Sequence, residues 1–223
     1  MVNGLNDYEK FAISNGISTT KIDDYKKYGN IISPTIIEER SLNVATMDVF
    51  SRLMAERIIF LGTEINSDVA NIVTSQLMYL NSVDKESDIK LFINSPGGSC
   101  TDGLAIYDIM NLINCDVATY CMGMAASMGS VILSSGTKGK RYSLPSSKIM
   151  IHQVSTAIGR VKASDLLIET EETVKLQNYI YNILAQNTNK TFEQIENDAK
   201  SDKWFISQEA LDYGLIDEII KKK

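Results

Sequence analysis

The chain has 223 residues, of which 44% are hydrophobic and 22% charged, and its net charge is −6. That length and balance fit one substantial globular domain, with room for a short appendage, and exclude a fibrous or wholly disordered chain. The acidic excess carries no basic stripe, which argues against a nucleic-acid partner, and no apolar run reaches the length of a membrane span. The three cysteines, Cys100, Cys115 and Cys121, form no C-x-x-C pair and suit a reducing compartment. We therefore expect a cytoplasmic protein with no metal site.

Residues 1–30 are polar, with Tyr8, Phe11 and Ile13 scattered among them. They form an expected N-terminal arm, reaching about residue 35, that is either flexible or removed by processing. They contain no arginine, unlike a transit peptide. Residues 31–44 suggest an irregular or hairpin-like segment. Apolar spacing at Val49, Phe50, Leu53 and Met54 predicts a short helix, and Arg57 to Leu61 a short buried strand. Ser67 is the expected cap of a helix reaching about Asn81. A second strand is expected over 89–93, a helix over 102–113 and a third strand over 117–121. This strand–helix–strand order predicts an α/β sheet with right-handed crossovers. Further strands are expected at 141–144, 149–153 and 215–220. The spacing also predicts a long helix over 163–185 and a short one from Ser207, the expected cap, to Tyr213, stopped by Gly214. The long helix has apolar residues on more than one face, a pattern that suits packing against another subunit.

Three stretches carry chemistry. In Gly123-Met-Ala-Ala-Ser-Met-Gly-Ser130, small residues leave the Ser127 hydroxyl approachable at the start of an apolar helix. The positive end of a helix stabilises the charge that develops in acyl transfer. The chain's one histidine, His152, ends an apolar strand, and imidazole is the usual base for deprotonating a serine near neutral pH. A carboxylate must then fix its tautomer. Both Asp198 and Asp202 qualify, and spacing does not choose between them. Gly-x-Ser-x-Gly is absent, because Ala125 stands two residues before the serine. Finally, Asn94-Ser-Pro-Gly-Gly98 lies between a strand and a helix, where glycine N–H groups can meet an anion. It is not a phosphate loop: Gly-x-x-x-x-Gly-Lys-Ser/Thr occurs nowhere, so the chain should not hydrolyse ATP by that device.

Ile93-Asn-Ser-Pro-Gly-Gly98, Gly123–Gly129, Gly136-Thr-Lys-Gly-Lys-Arg141, Met150-Ile-His-Gln153 and Glu209 to Asp217 together resemble the ClpP endopeptidase family, in the same order and at similar spacing. The likeness runs from about residue 36 to 220. It implies a single peptidase domain over 36–223 with a ClpP/crotonase-like α/β fold: stacked right-handed β-β-α units and a protruding long helix-strand handle. It also implies a catalytic triad of Ser127, His152 and Asp202, with the Gly98 and Met128 N–H groups as oxyanion hole. A homo-oligomer of two stacked seven-membered rings is implied, fed with unfolded polypeptide by a Clp-family AAA+ unfoldase such as ClpX, ClpA or ClpC. The chain itself would need no cofactor. The docking pocket for that ATPase corresponds to Met78, Tyr79, Lys90, Phe92, Leu112 and Tyr142.

The sequence departs from the family pattern in three places. Val154-Ser-Thr-Ala-Ile-Gly159 replaces a proline and paired glycines after His-Gln. Lys200 and Ser201 replace a charged pair that bridges rings, so we expect a weaker or differently held double ring. Lys90 stands where an aromatic is common, and its stem can still cover apolar surface. Two other classes compete with an active peptidase. An inactive ring subunit would generally lack a triad member, and all three are present. Acyl-CoA hydratases and isomerases of the same fold use carboxylates, so the Ser/His/Asp set would then be accidental.

Overall fold

The computed structural model describes residues 35–40, 43–156, 159 and 162–221. The chain divides into two compact units, Met1–Arg52 and Leu53–Lys223. In the first, β1 (Thr35–Arg40) and β2 (Asn43–Asp48) pair antiparallel. The hairpin-like reading of 31–44 therefore holds where residues are described; the arm over 1–34 lies outside them. A short helix, α1 (Val49–Ala55), follows at the expected place.

The second unit is built on a seven-stranded sheet. β3 (Ile58–Leu61), β4 (Ile89–Ser95), β5 (Val117–Ala126) and β6 (Arg141–Ser143) run parallel in that order, and β6 also pairs with β9 (Glu218–Ile219). The far half of β5 pairs instead with β7 (Lys148–Ile151), which is antiparallel to β8 (Lys203–Ile206). Parallel pairing demands crossovers, here supplied by helices, so the expected mostly parallel α/β sheet is present. Ile89, Leu91 and Ile93 alternate inward on β4 and are fully buried. Each such side chain contributes about 1.5–3 kcal/mol on burial.

Helix α2 (Ser67–Val83) connects β3 to β4, and α3 (Cys100–Leu112) connects β4 to β5. The cap of α2 is Asn66, whose side chain accepts the Val69 N–H at 3.0 Å, and Ser67 is the first helical residue. Asn and Ser are comparably good caps, so composition could not separate adjacent candidates. After β5 come α4 (Met128–Ser134) and, beyond β7, the long α5 (Ala163–Thr188). The buried positions of α5 all lie between Ile180 and Thr188, whereas Leu166, Leu167, Ile168 and Val174 are exposed. Its first half is thus an apolar handle, its second half part of the core.

Two elements have no counterpart in the expected list. Helix α6 (Phe192–Asp198) opens with a reciprocal capping box between Thr191 and Gln194, and β8 follows it. The Thr-x-x-Gln signature was visible in the sequence. The last helix, α7 (Ser207–Tyr213), starts one residue earlier than a Ser207 cap requires, with Ile206 in the cap position, and stops at left-handed Gly214. The final strand is two residues long, because Leu215 and Ile216 pack into the core instead.

The recurring Gly136–Arg141 and Glu209–Asp217 stretches meet here. Arg141, fully buried at the start of β6, donates to Asp217 from Nη2 at 2.6 Å and Nε at 2.8 Å. Asp217 also accepts the Gly139 and Arg141 N–H groups, and Arg141 Nη1 donates to the carbonyls of Ser134 and Asn187. This pair ties β6, the end of α4, the end of α5 and the chain before β9 together. Those two motifs are architecture.

Candidate active site

Ser127 sits at the hinge between β5 and α4 with φ 53° and ψ −126°, a left-handed conformation unusual for a side chain. Its N–H donates to the Met150 carbonyl at 2.9 Å, and its carbonyl accepts the Ser130 N–H and hydroxyl at 3.0 and 2.7 Å. The turn is therefore held from both sides. Its Oγ makes no capping bond to α4 and is free to face outward. Gly97 is what makes room: a Cβ there would lie 2.6 Å from Ser127 Cβ and 2.7 Å from the Ala126 carbonyl. The Pro-Gly-Gly turn and the serine turn thus interlock.

Strand register delivers the other two side chains. In the parallel β5–β7 pair, Ala126 lies beside Met150, which brings the residues following both strands to one edge. In the antiparallel β7–β8 pair, Ile151 lies opposite Lys203, so His152 and Asp202 are the next pair outward and share a face. Accordingly His152 Nε2 is 2.9 Å from Ser127 Oγ, and His152 Nδ1 is 3.1 Å from Asp202 Oδ1. The Asp202 side chain is 62% exposed and that of His152 25% exposed.

Asp198, the other carboxylate the spacing allowed, is engaged elsewhere. It accepts Lys203 Nζ at 2.5 Å and the Tyr213 hydroxyl at 2.7 Å. Burial opposes its ionisation, but those two bonds and the Lys203 charge outweigh burial and hold its pKa below the ordinary value.

Gly98 and Met128 both line the small cavity, about 50 Å³, that opens beside Ser127 and His152. Ile65 bridges to the Gly97 carbonyl and the Ser99 N–H, a ladder that does not use the Gly98 N–H. A Cβ on Gly98 would overlap the Ile65 carbonyl. Met128 is the first residue of α4, where an N–H has no partner within the helix. The cavity's remaining wall includes Cys100, Val131, Ile180 and Leu184. Burial pushes the Cys100 thiol above its ordinary pKa, the opposite of what a nucleophilic cysteine needs. Ile180, Leu184 and Gln153 were not singled out in the sequence; the i, i+4 spacing of the first two was the available signal.

The residues assigned to ATPase docking fall into two groups. Phe92 and Tyr142 belong to an aromatic ladder across β3–β6, with ring centroids 5.5 Å apart for Phe60–Phe92, 4.6 Å for Phe92–Tyr120 and 4.8 Å for Tyr120–Tyr142. Lys90 is exposed two residues before Phe92, on the same face of β4. Met78 and Tyr79 on α2 and Leu112 at the end of α3 are exposed and take no part in that ring stack. Among the described residues no group of three or more His, Cys, Asp or Glu could hold a metal ion, and no helix is long and apolar enough to cross a membrane.

Residues 41–223 match the family model described as Clp protease. The chain is 50% identical over 220 residues to the ATP-dependent Clp protease proteolytic subunit of Porphyromonas gingivalis, covering 98% of this chain and 99% of that protein. It is 48% and 47% identical to proteins of the same description from Bacteroides fragilis and Bacteroides thetaiotaomicron, covering 98% of this chain and 100% of each relative.

Proposed function

The chain belongs to the Clp protease family, and from that premise we propose that it is the proteolytic subunit of an ATP-dependent Clp protease, a serine endopeptidase using Ser127, His152 and Asp202. The observation that carries this reading is the continuous hydrogen-bonded line from Ser127 Oγ through both ring nitrogens of His152 to Asp202. Asp202, accepting from Nδ1–H, leaves Nε2 unprotonated toward the serine. Nε2 takes the hydroxyl proton as Oγ attacks a peptide carbonyl, and the N–H groups of Gly98 and Met128 receive the developing oxyanion. The imidazolium then protonates the leaving amine, which leaves an acyl-enzyme. Water, deprotonated by His152, hydrolyses that ester and restores the serine. The walls contributed by Val131, Ile180 and Leu184 favour an apolar side chain next to the cleaved bond.

Membership of the Clp protease family supports an oligomer served by a Clp ATPase, and the sequence carries no phosphate-loop motif of its own. Two stacked heptameric rings, a partner of the ClpX or ClpA/ClpC kind docking on the aromatic ladder, unfolded polypeptide as substrate and no cofactor of its own complete the reading. A cytoplasmic location agrees with three free cysteines. The test is intact mass after treatment with a fluorophosphonate, on the native chain, Ser127→Ala and His152→Ala. One adduct, lost in both variants, is the expected result. Absence of any adduct on assembled native rings overturns the reading.

A further inference from the structure

We propose that Asp198, Lys203 and Tyr213 form a register pin: positioning residues that hold β8 so that Asp202, and no neighbour, stands opposite His152. This rests on the peptidase reading above for its consequence in catalysis, but its structural content is independent of it.

The need for a pin follows from strand geometry. His152 and Asp202 lie one step beyond the last ladder pair, Ile151 with Lys203. A slip of β8 by one residue would bring Lys203 or Ser201 opposite His152, a cation or a neutral hydroxyl in place of the carboxylate. β8 has only four residues and, among the described residues, pairs with β7 alone, so the ladder offers little resistance to such a slip. Trp204 and Ile206, on the same face as Asp202, are exposed and add little packing to fix the register. What remains is the opposite face, where Phe205 is buried in the core and Lys203 points beside it.

That face is where the Asp198 cluster sits. Lys203 Nζ reaches Asp198 Oδ1 at 2.5 Å, and Asp198 Oδ2 accepts from the Tyr213 hydroxyl at 2.7 Å. Lys203 Nζ also lies 5.3 Å from the Tyr213 ring centroid and 5.6 Å from that of Phe205, and the two rings are 4.8 Å apart. The cluster therefore joins the end of α6, the start of β8 and the end of α7. Lys190 Nζ lies 5.1 Å from the Tyr213 ring centroid, and the carboxylates of Glu209 and Asp212 line the same surface depression. On the far side of Asp202, Gln153 Nε2 donates to the Lys200 carbonyl at 3.2 Å. The turn that presents Asp202 is held at both ends. Alternation along a strand then converts a fixed Lys203 into a fixed direction for Asp202.

The single histidine gives a direct readout. With 15N-histidine label, magic-angle-spinning NMR of the sedimented full chain reports the Nδ1–H proton bonded to Asp202, and Asp202→Asn identifies that signal by removing it. In Tyr213→Phe, which keeps the ring, and in Lys203→Met, the pin predicts that the signal moves upfield or splits. It also predicts that fluorophosphonate acylation slows about tenfold in both, while Lys203→Arg keeps the native signal and rate. A native signal and native acylation rate in both disrupting variants, with only a lower melting temperature, overturns the proposal and leaves the cluster as scaffold. If native protein forms no adduct but the signal still moves in the variants, the pin stands and the peptidase reading falls.

Discussion

Asp202 and Asp217 are carboxylates of the same chain, yet their surroundings are opposite. Asp217 is nearly buried, 17% exposed, and accepts bonds from both the guanidinium of Arg141 and two backbone N–H groups. Asp202 is mostly exposed and, among the described residues, its side chain has one partner, His152. A saturated carboxylate responds to nothing further. One with spare accepting capacity beside an imidazole can gain strength when that imidazole becomes charged, which is what a proton-transfer step requires. On the reading proposed above, the first therefore governs stability and the second turnover.

Exchanging each for asparagine sharpens that contrast. Asp202→Asn is expected to lower kcat on a peptide substrate by about 10⁴-fold, because the amide favours the wrong imidazole tautomer. Its melting temperature should stay within about 1 °C of native, since an exposed group is replaced by an isostere. Comparable losses in both properties would break the distinction. Arg141→Met works on the other side. It leaves Asp217 charged and buried, at an expected cost of about 3–5 kcal/mol in stability, read by denaturant unfolding. Any residual activity per folded subunit should be near native.

Acid separates the two further. Burial raises the Asp217 pKa, but the hydrogen bonds and charge of Arg141 more than reverse this and hold it below the ordinary carboxylate range. A carboxyl depressed in the folded state stabilises it fully above the unfolded value, near 4, and loses that contribution as pH falls through the folded value. The melting-temperature gap between native protein and Asp217→Asn should thus be widest near neutral pH and narrow from about pH 4 downward. A gap that is constant between pH 7 and 3 would show that the pair contributes through shape, not charge.

Most of the parallel framework was legible in the sequence, because buried apolar strands such as Ile89–Ile93 and long amphipathic helices carry strong periodic signals. The serine and the histidine were legible as chemistry, one from small flanking residues and one from being the only imidazole. The choice between Asp198 and Asp202 was not legible in their spacing, and only the family resemblance pointed to Asp202. Both carboxylates lie four residues apart with similar neighbours, and what separates them is the β7–β8 register, a long-range pairing between residues some fifty positions apart. The same four-residue strand was missed because a segment so short has no period to detect. The role of Gly97 was hidden for a related reason. A Cβ there would collide with Ala126, Ser127 and Met128, about thirty residues away in the chain.

Lys140 offers the smallest effect and the closest control, because it adjoins Arg141 in the chain. Its ammonium bonds Asp88 at 2.7 Å and Asp116 at 2.8 Å, with shorter or equal distances than most bonds of Arg141. The hydrogen bonds it donates to Asp116 and Asp88 raise its pKa, so its contribution is present at neutral pH and fades only in strong alkali. Distance alone would rank it beside Arg141. Exposure reverses the ranking: side chains that are a third to a half exposed keep their water, and salt screens their attraction. Lys140→Met should therefore cost at most about 1 kcal/mol, and most of that should vanish in 0.5 M salt, roughly a 4 Å screening length. Arg141→Met should keep its full cost in the same salt. Equal salt sensitivity of the two variants would mean that water reaches the Arg141–Asp217 pair, and the division between a structural and a reactive carboxylate would have to be redrawn.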